Sequence, residues 1–280
     1  MSVIRRLAYG IKHILELDEP RHHLAIYPDD TFVVSFPGSG NTWTLFLIAN
    51  LLQPEPRVTL ADLKRLIPAI DGQPRKFFRA MPRPRVIRHH ESFHPQYKNV
   101  IYIVRDPRDV LISAYHSLPE RTDLDGGDRL MSFVAEFVAG ARSPVGSWGE
   151  NVASWLATRG NAPRFLLLRF EDMWSETVGE LDKVARFLGI QATSGHLAEA
   201  VNRSSADHVR RLEQKTARKI DLDSSRSSAE GGWRTTLPKA AVSEIESAWG
   251  PLMSRLGYEL CDTAAAKYHT VAVTELDRDL

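Results

Sequence analysis

Residues 31–52 read TFVVSFPGSGNTWTLFLIANLL and contain three kinds of chain in succession. Residues 31–36 are β-branched and aromatic, the composition of a buried strand. Pro37-Gly38-Ser39-Gly40-Asn41 is a turn, and from Thr42 to Leu52 the apolar pattern is helical. Strand, glycine turn and helix in that order bring backbone N–H groups and the positive helix end to one point. That geometry binds phosphate-like anions. No Gly-Lys-Ser/Thr closes the turn and no hydroxyl is set up for magnesium, so it is not a Walker A loop. Taken alone, the stretch leaves anion binding and an ordinary α/β turn both open.

The same order recurs along the chain. Asn99–Val104, NVIYIV, is a second buried strand. Arg105-Asp106-Pro107-Arg108 turns it into a helix reaching about residue 118, with Asp106 as N-cap and Pro107 in the first turn. RFLLLRF at 164–170 is a third strand, followed by an amphipathic helix over 175–188 that Gly189 stops. A short strand at 85–88 leads into His89-His90-Glu91. Helical patterns occupy Leu60–Leu66 behind Thr59, then 129–141, Trp148–Arg159, 196–201, 206–215 and 238–256. Residues 71–85, 120–128 and 221–232 read as irregular loops. Strands alternating with helices predict an α/β fold with a mainly parallel sheet covered on both faces. Ligands then sit at the carboxyl ends of the strands, so the segments after Phe36, Arg88 and Val104 should converge on one crevice. The expected division is an N-terminal helical extension over 1–29, one domain over 30–260 and a tail over 261–280.

A formal charge of +1 conceals basic clusters at 83–90, 105–108 and 203–219. That distribution suits a small anionic ligand better than nucleic acid, which needs a continuous basic face. The single Cys261 excludes an intrachain disulfide and a cysteine metal cluster, and agrees with a reducing compartment. No segment has 18 uninterrupted apolar residues, so no stable membrane insertion is expected. Residues 3–17 are read as a helix packed on the domain, and the protein as soluble and cytoplasmic.

Five segments, in order, carry a family likeness: SFPGSGNTW (35–43), RVIRHH (85–90), VIYIVRDPRDVLISAYH (100–116), RFEDM (169–173) and RSSAEGGWR (226–234). Together they resemble the signature segments of sulfotransferases that use 3′-phosphoadenosine 5′-phosphosulfate (PAPS). The resemblance spans residues 30–257. It implies a single α/β domain of the phosphate-loop, nucleotide-kinase-like sulfotransferase fold. It also implies transfer of a sulfuryl group to an acceptor hydroxyl, or an amine, releasing 3′-phosphoadenosine 5′-phosphate (PAP). The family's transfer is in line, with a histidine base and no metal.

Residue by residue, the resemblance places Gly38, Ser39, Gly40, Asn41 and Thr42 in the cradle for the 5′-phosphosulfate. Trp43 matches a tryptophan near the adenine, and Phe170 stands where the family has a tyrosine beside the base. Arg105 and Ser113 match the pair gripping the 3′-phosphate, and Arg226 a third contact, aided by backbone N–H groups of Ser227 and Ser228. Ser204 belongs to the nucleotide segment, two residues before Ala206, which occupies the place of a family phenylalanine. His90 matches the general base; His89 and His94 compete with it, and only the family register separates them. A histidine suits the task because its pKa lies near neutrality.

The departures are as informative. Gly38 replaces a lysine that assists departure of the phosphate, and Ser227 replaces a second lysine near the 3′-phosphate. Arg88, matching a family lysine two residues before the base, is the candidate substitute for the first. The family's dimer segment is absent after Trp233, so a homodimer would have to use another surface. The sequence does not name the acceptor, which is expected to be a small molecule, glycan or lipid met by loops 77–81 and 120–128 and the segment with Trp148 and Trp155; those tryptophans, seven apart on a helix, read equally as core. Two alternatives stand beside this reading: a PAPS/PAP-binding protein with little turnover, motivated by Gly38, and a small-molecule kinase on a related fold.

Overall fold

In a computed structural model, residues 24–118, 127–160, 162–205 and 231–261 are described. The strands β1 (Thr31–Ser35), β2 (Val86–His89), β3 (Asn99–Val104) and β4 (Phe165–Arg169) form one parallel sheet in the order β2-β1-β3-β4. Thr31 pairs with Val86 on one side and Asn99 on the other, and Val100 pairs with Phe165. All four strands therefore end at the same edge, and Phe36, His90, Arg105 and Phe170 are the residues that step off it.

Helices follow as α1 (Asn41–Leu52), α2 (Leu60–Leu66), α3 (Arg75–Ala80), α4 (Pro107–His116), α5 (Asp128–Val138) and α6 (Trp148–Arg159). After β4 come α7 (Phe170–Ser175), α8 (Thr177–Leu188), α9 (Ser194–Arg203), α10 (Trp233–Thr236) and α11 (Lys239–Arg255). The local signals act as chemistry requires. Asp106 accepts a hydrogen bond from the Arg108 backbone N–H at 2.9 Å with Pro107 behind it. Gly189 closes α8 at φ 71°. Alternation along the strands splits the core into two layers. Phe32, Val34, Tyr102 and Val104 face Trp148, Trp155 and Ile245, while Val33, Ile101 and Ile103 face Leu45, Leu181 and Leu197.

Three readings need correction. Residues 71–85 are not wholly irregular, because α3 forms inside them, anchored by buried Phe78, whose carbonyl accepts from Arg85 Nη1 at 3.0 Å. Phe170 does not end the third strand but starts α7, since Glu171 turns back to accept the Asp106 N–H at 2.9 Å. Trp148 and Trp155 do not wall an acceptor pocket. Both are wholly buried, and their indole N–H groups fasten the Arg105 and Glu91 carbonyls at 3.2 and 3.0 Å. The readings for residues 3–17, 120–126, 206–215 and 221–230 lie outside the described residues. Among the described residues no helix is long and apolar enough to cross a membrane.

Candidate active site

The turn after β1 takes the left-handed conformation at Gly38 (φ 86°) and Gly40 (φ 76°). Gly40 is needed twice over: a Cβ there would lie 2.2 Å from the Phe170 ring, which covers the turn. Helix α1 then starts with no side-chain cap, so its first N–H groups face the crevice. Ser39 Oγ and both polar atoms of the Asn41 amide are buried without a hydrogen-bond partner among the described residues. Buried polar atoms are ordinarily satisfied. Their concentration on one glycine turn at a helix N-terminus suits an anionic ligand. Thr42 is half-buried beside them.

Arg105, 2% exposed, reaches back to this turn, its Nη1 donating to the Gly38 carbonyl at 3.3 Å. Its guanidinium lies 4.5 Å above the Phe170 ring. Burial pushes its pKa down, and the neighbouring Asp109 and Glu171 carboxyls push it back up. Ser113 lies two turns along α4, with its Oγ 3.5 Å from where a Gly38 Cβ would be. The structure therefore brings Gly38, Gly40, Arg105, Ser113 and Phe170 together.

His90 stands one residue beyond β2. Its Nδ1 donates to the Ser35 carbonyl at 2.7 Å, which puts the ring proton on Nδ1 and leaves the lone pair on Nε2. Burial holds its pKa below the ordinary value of 6.5; the Ser35 bond raises it and the Arg88 charge lowers it further. The His90 carbonyl accepts from Asn151 Nδ2 at 3.1 Å, and Asn151 Oδ1 accepts from the buried Tyr102 hydroxyl at 2.7 Å. The competing histidines are engaged elsewhere. His89 Nδ1 lies 2.9 Å from the Tyr97 hydroxyl and 3.5 Å from Glu91, and His94 stacks on the Tyr97 ring at 4.5 Å. Arg88, two residues before His90, is on the same side of the extended chain. Among the described residues its guanidinium has no hydrogen bond or ion pair, and burial lowers its pKa.

Trp43 packs edge-on to Phe170 at 5.9 Å, and its Nε1 donates to the Ser204 carbonyl at 3.1 Å. Ser204 is fully buried; its hydroxyl donates to the Ala200 carbonyl at 2.8 Å and accepts from Asn50 Nδ2 at 3.0 Å. The Ser204 side chain thus fastens α9 to α1 and is not displayed to a ligand. Arg226, Ser227 and Ser228 lie outside the described residues. The chain just beyond them is tied in place by Asp109, whose carboxylate accepts from the Gly231 and Trp233 N–H groups at 3.3 and 3.0 Å.

Four contributors were not singled out from the sequence. Asp109 and Glu171 are buried carboxyls flanking Arg105, and burial raises them to about 6 and about 7. Asn151 steadies the His90 backbone, and Trp174 joins the aromatic group around Trp43 at 5.3 Å. Acidic residues a little beyond buried strands, Glu171 two past β4 and Asp109 five past β3 in the first turn of α4, were the available signal for the first pair. Asn151 carried none. Among the described residues no group of His, Cys, Asp or Glu is placed to hold a metal ion.

The model of the Sulfotransferase domain family matches residues 28–257. Sulfotransferase 2A6 of Rattus norvegicus is 33% identical over 58% of this chain and 60% of its own length. The 3-beta-hydroxysteroid sulfotransferase of Cavia porcellus is 28% identical over 62% of this chain and 63% of its own. The matched region thus spans about three-fifths of these relatives. Sulfotransferase 1A1 of Canis lupus familiaris is 25% identical over 88% and 91% of the two chains. Among solved structures, mouse sulfotransferase SULT7A1 complexed with PAP has the same fold, with TM-score 0.66, 22% identity and 88% and 90% coverage. A retinol dehydratase in complex with retinol and PAP aligns with TM-score 0.65, 17% identity and 85% coverage of each chain.

Proposed function

Because the chain belongs to the Sulfotransferase domain family, we propose that it transfers the sulfuryl group of PAPS to an acceptor hydroxyl and releases PAP. The observation that carries this reading is the hydrogen bond from His90 Nδ1 to the Ser35 carbonyl beside the unsatisfied turn. It leaves Nε2 as a neutral base at the edge where the turn, Arg105 and Ser113 meet.

PAPS supplies a sulfuryl group already joined to a good leaving phosphate. The chain's own part is positioning and charge, as in phosphoryl transfer. His90 Nε2 takes the acceptor's hydroxyl proton as its oxygen attacks sulfur in line. The turn's N–H groups, the start of α1 and the Arg88 guanidinium stabilise the charge that collects on the departing phosphate oxygen. Arg105 and Ser113 hold the 3′-phosphate, with Arg226 beside them. Ser39, Asn41 and Thr42 hold the other end, and Trp43 and Phe170 flank the base. No step calls for a metal.

A hydroxysteroid sulfotransferase among the relatives, and retinol among the ligands of the structural neighbours, support a small apolar alcohol as acceptor. A cytoplasmic setting agrees with that chemistry. Gly38 favours one second reading, a PAP-binding protein with little turnover, since the turn lacks its relatives' charge. The kinase alternative gains nothing, because the turn has no Gly-Lys-Ser/Thr. The test is titration with PAP beside adenosine 5′-phosphate, then donor consumption by wild type and His90→Ala. Binding that prefers PAP, loses that preference in Arg105→Ala and turns over only with His90 supports the enzyme. Tight PAP binding with a His90-independent rate supports the binding protein.

A further inference from the structure

Trp174 is exposed at 41%, although it belongs to an aromatic group whose other members are buried. It lies one helical turn beyond Phe170 on α7, so both rings share a face of that helix. Their centroids are 6.3 Å apart and their planes within 28°. Trp43 meets Trp174 at 5.3 Å and Phe170 at 5.9 Å. Trp43 is 9% exposed and Phe170 3%, so of the three rings only Trp174 offers a broad face to solvent. Its stacked neighbour Phe170 is the ring that covers Gly40 in the turn. An indole left in water at the rim of a charged site forgoes the gain of burial, so a flat apolar ligand is the occupant it suits.

The sequence supplies the second observation. Position 206, where the sulfotransferase resemblance gives a phenylalanine, is alanine here. We propose that Trp174 provides a stacking face for the adenine of the donor nucleotide. The inference rests on the PAPS reading and names a base-binding residue within it. A purine presents a π-face to the ring, so recognition is by stacking, with sequence-tolerant geometry and no change of charge.

The test compares wild type, Trp174→Ala and Trp174→Phe in calorimetric titrations with PAP and with ribose 3,5-bisphosphate, which keeps both phosphates and lacks the base. Base stacking removed by alanine substitution weakens binding by roughly ten- to a hundredfold. Trp174→Ala is expected to lose PAP affinity by about that factor and Trp174→Phe to recover most of it. Ribose 3,5-bisphosphate is expected to bind all three proteins alike, and PAP to quench indole fluorescence less in Trp174→Phe. The proposal is overturned if Trp174→Ala binds PAP like wild type, or if it weakens for both ligands equally, which is a structural effect. Failure of wild type to bind either ligand is a separate result; it overturns the donor reading and this inference with it.

Discussion

Gly38→Lys restores the charge that the turn lacks, and the structure says what that restoration costs. Gly38 sits at φ 86°, where a side chain is strained by about 1–2 kcal/mol. The space itself is nearly adequate, with Val110 Cγ1 at 3.3 Å and Ser113 Oγ at 3.5 Å from the new Cβ. Gly38→Ala should therefore lose the same about 1–2 kcal/mol as Gly38→Lys, a fall of a few degrees in Tm. The charge is the separable part. If Arg88 supplies it, Arg88→Ala removes one stabilising cation from the departing phosphate, worth about a hundredfold in kcat. Lysine at position 38 leaves the turn toward Ser113, on the opposite side from β2, so it should recover only about tenfold of that loss. The alanine at position 38 should recover none. The assay is PAP release from wild type, Arg88→Ala, and Arg88→Ala combined with Gly38→Lys or with Gly38→Ala, at about pH 8.5, where His90 is neutral whether or not Arg88 holds its pKa down. Unchanged turnover in Arg88→Ala would sink the reasoning, and so would equal rescue by Gly38→Ala.

Other outcomes follow from the same geometry. Since burial holds His90 below 6.5 in the free protein, kcat/KM should be flat near neutrality and fall only on an acid limb lying below that value. His90→Ala should abolish the limb along with the rate, and a limb above 6.5 would contradict the assigned base. Gly40→Ala drives a methyl against the Phe170 ring at 2.2 Å and strains a left-handed residue, so denaturant melts should show a loss of about 2–5 kcal/mol. Native Glu171 binds its proton more tightly than the unfolded chain, its pKa raised from 4.5 to about 7. Stability should therefore fall as pH rises across that interval, by on the order of 3 kcal/mol. Chemical denaturation of wild type and Glu171→Gln through this range checks it, and an identical slope in both would exclude Glu171 as the cause.

What the sequence makes legible is local. NVIYIV becomes a strand with the expected bounds, and Asp106-Pro107 opens α4, because both depend on propensity and capping within a few residues. Gly189 stops α8 for the same reason. The parallel order and the convergence of three loops follow from alternation. The misses are tertiary. Phe170 carries the strand pattern of RFLLLRF, yet Glu171 reaching Asp106 N–H draws it into a helix. Trp148 and Trp155 leave pocket and core both open in the sequence, and the packing of α6 on β3 settles them as core. Ser204 has the right neighbours in sequence but spends its hydroxyl on Ala200 and Asn50. The register of the resemblance singles out His90 over His89, and what the histidine run does not carry is the bond from His90 Nδ1 to the Ser35 carbonyl.

The most direct measurement is a transfer assay with sulfur-labelled PAPS against phenols, hydroxysteroids, retinol-like alcohols, simple sugars and water, in wild type and His90→Ala. The expected result is label in at least one acceptor, matched mole for mole by PAP and lost in His90→Ala. Bound PAPS that keeps its label with every acceptor and with water, or loses it equally fast without His90, would contradict sulfuryl transfer at this crevice.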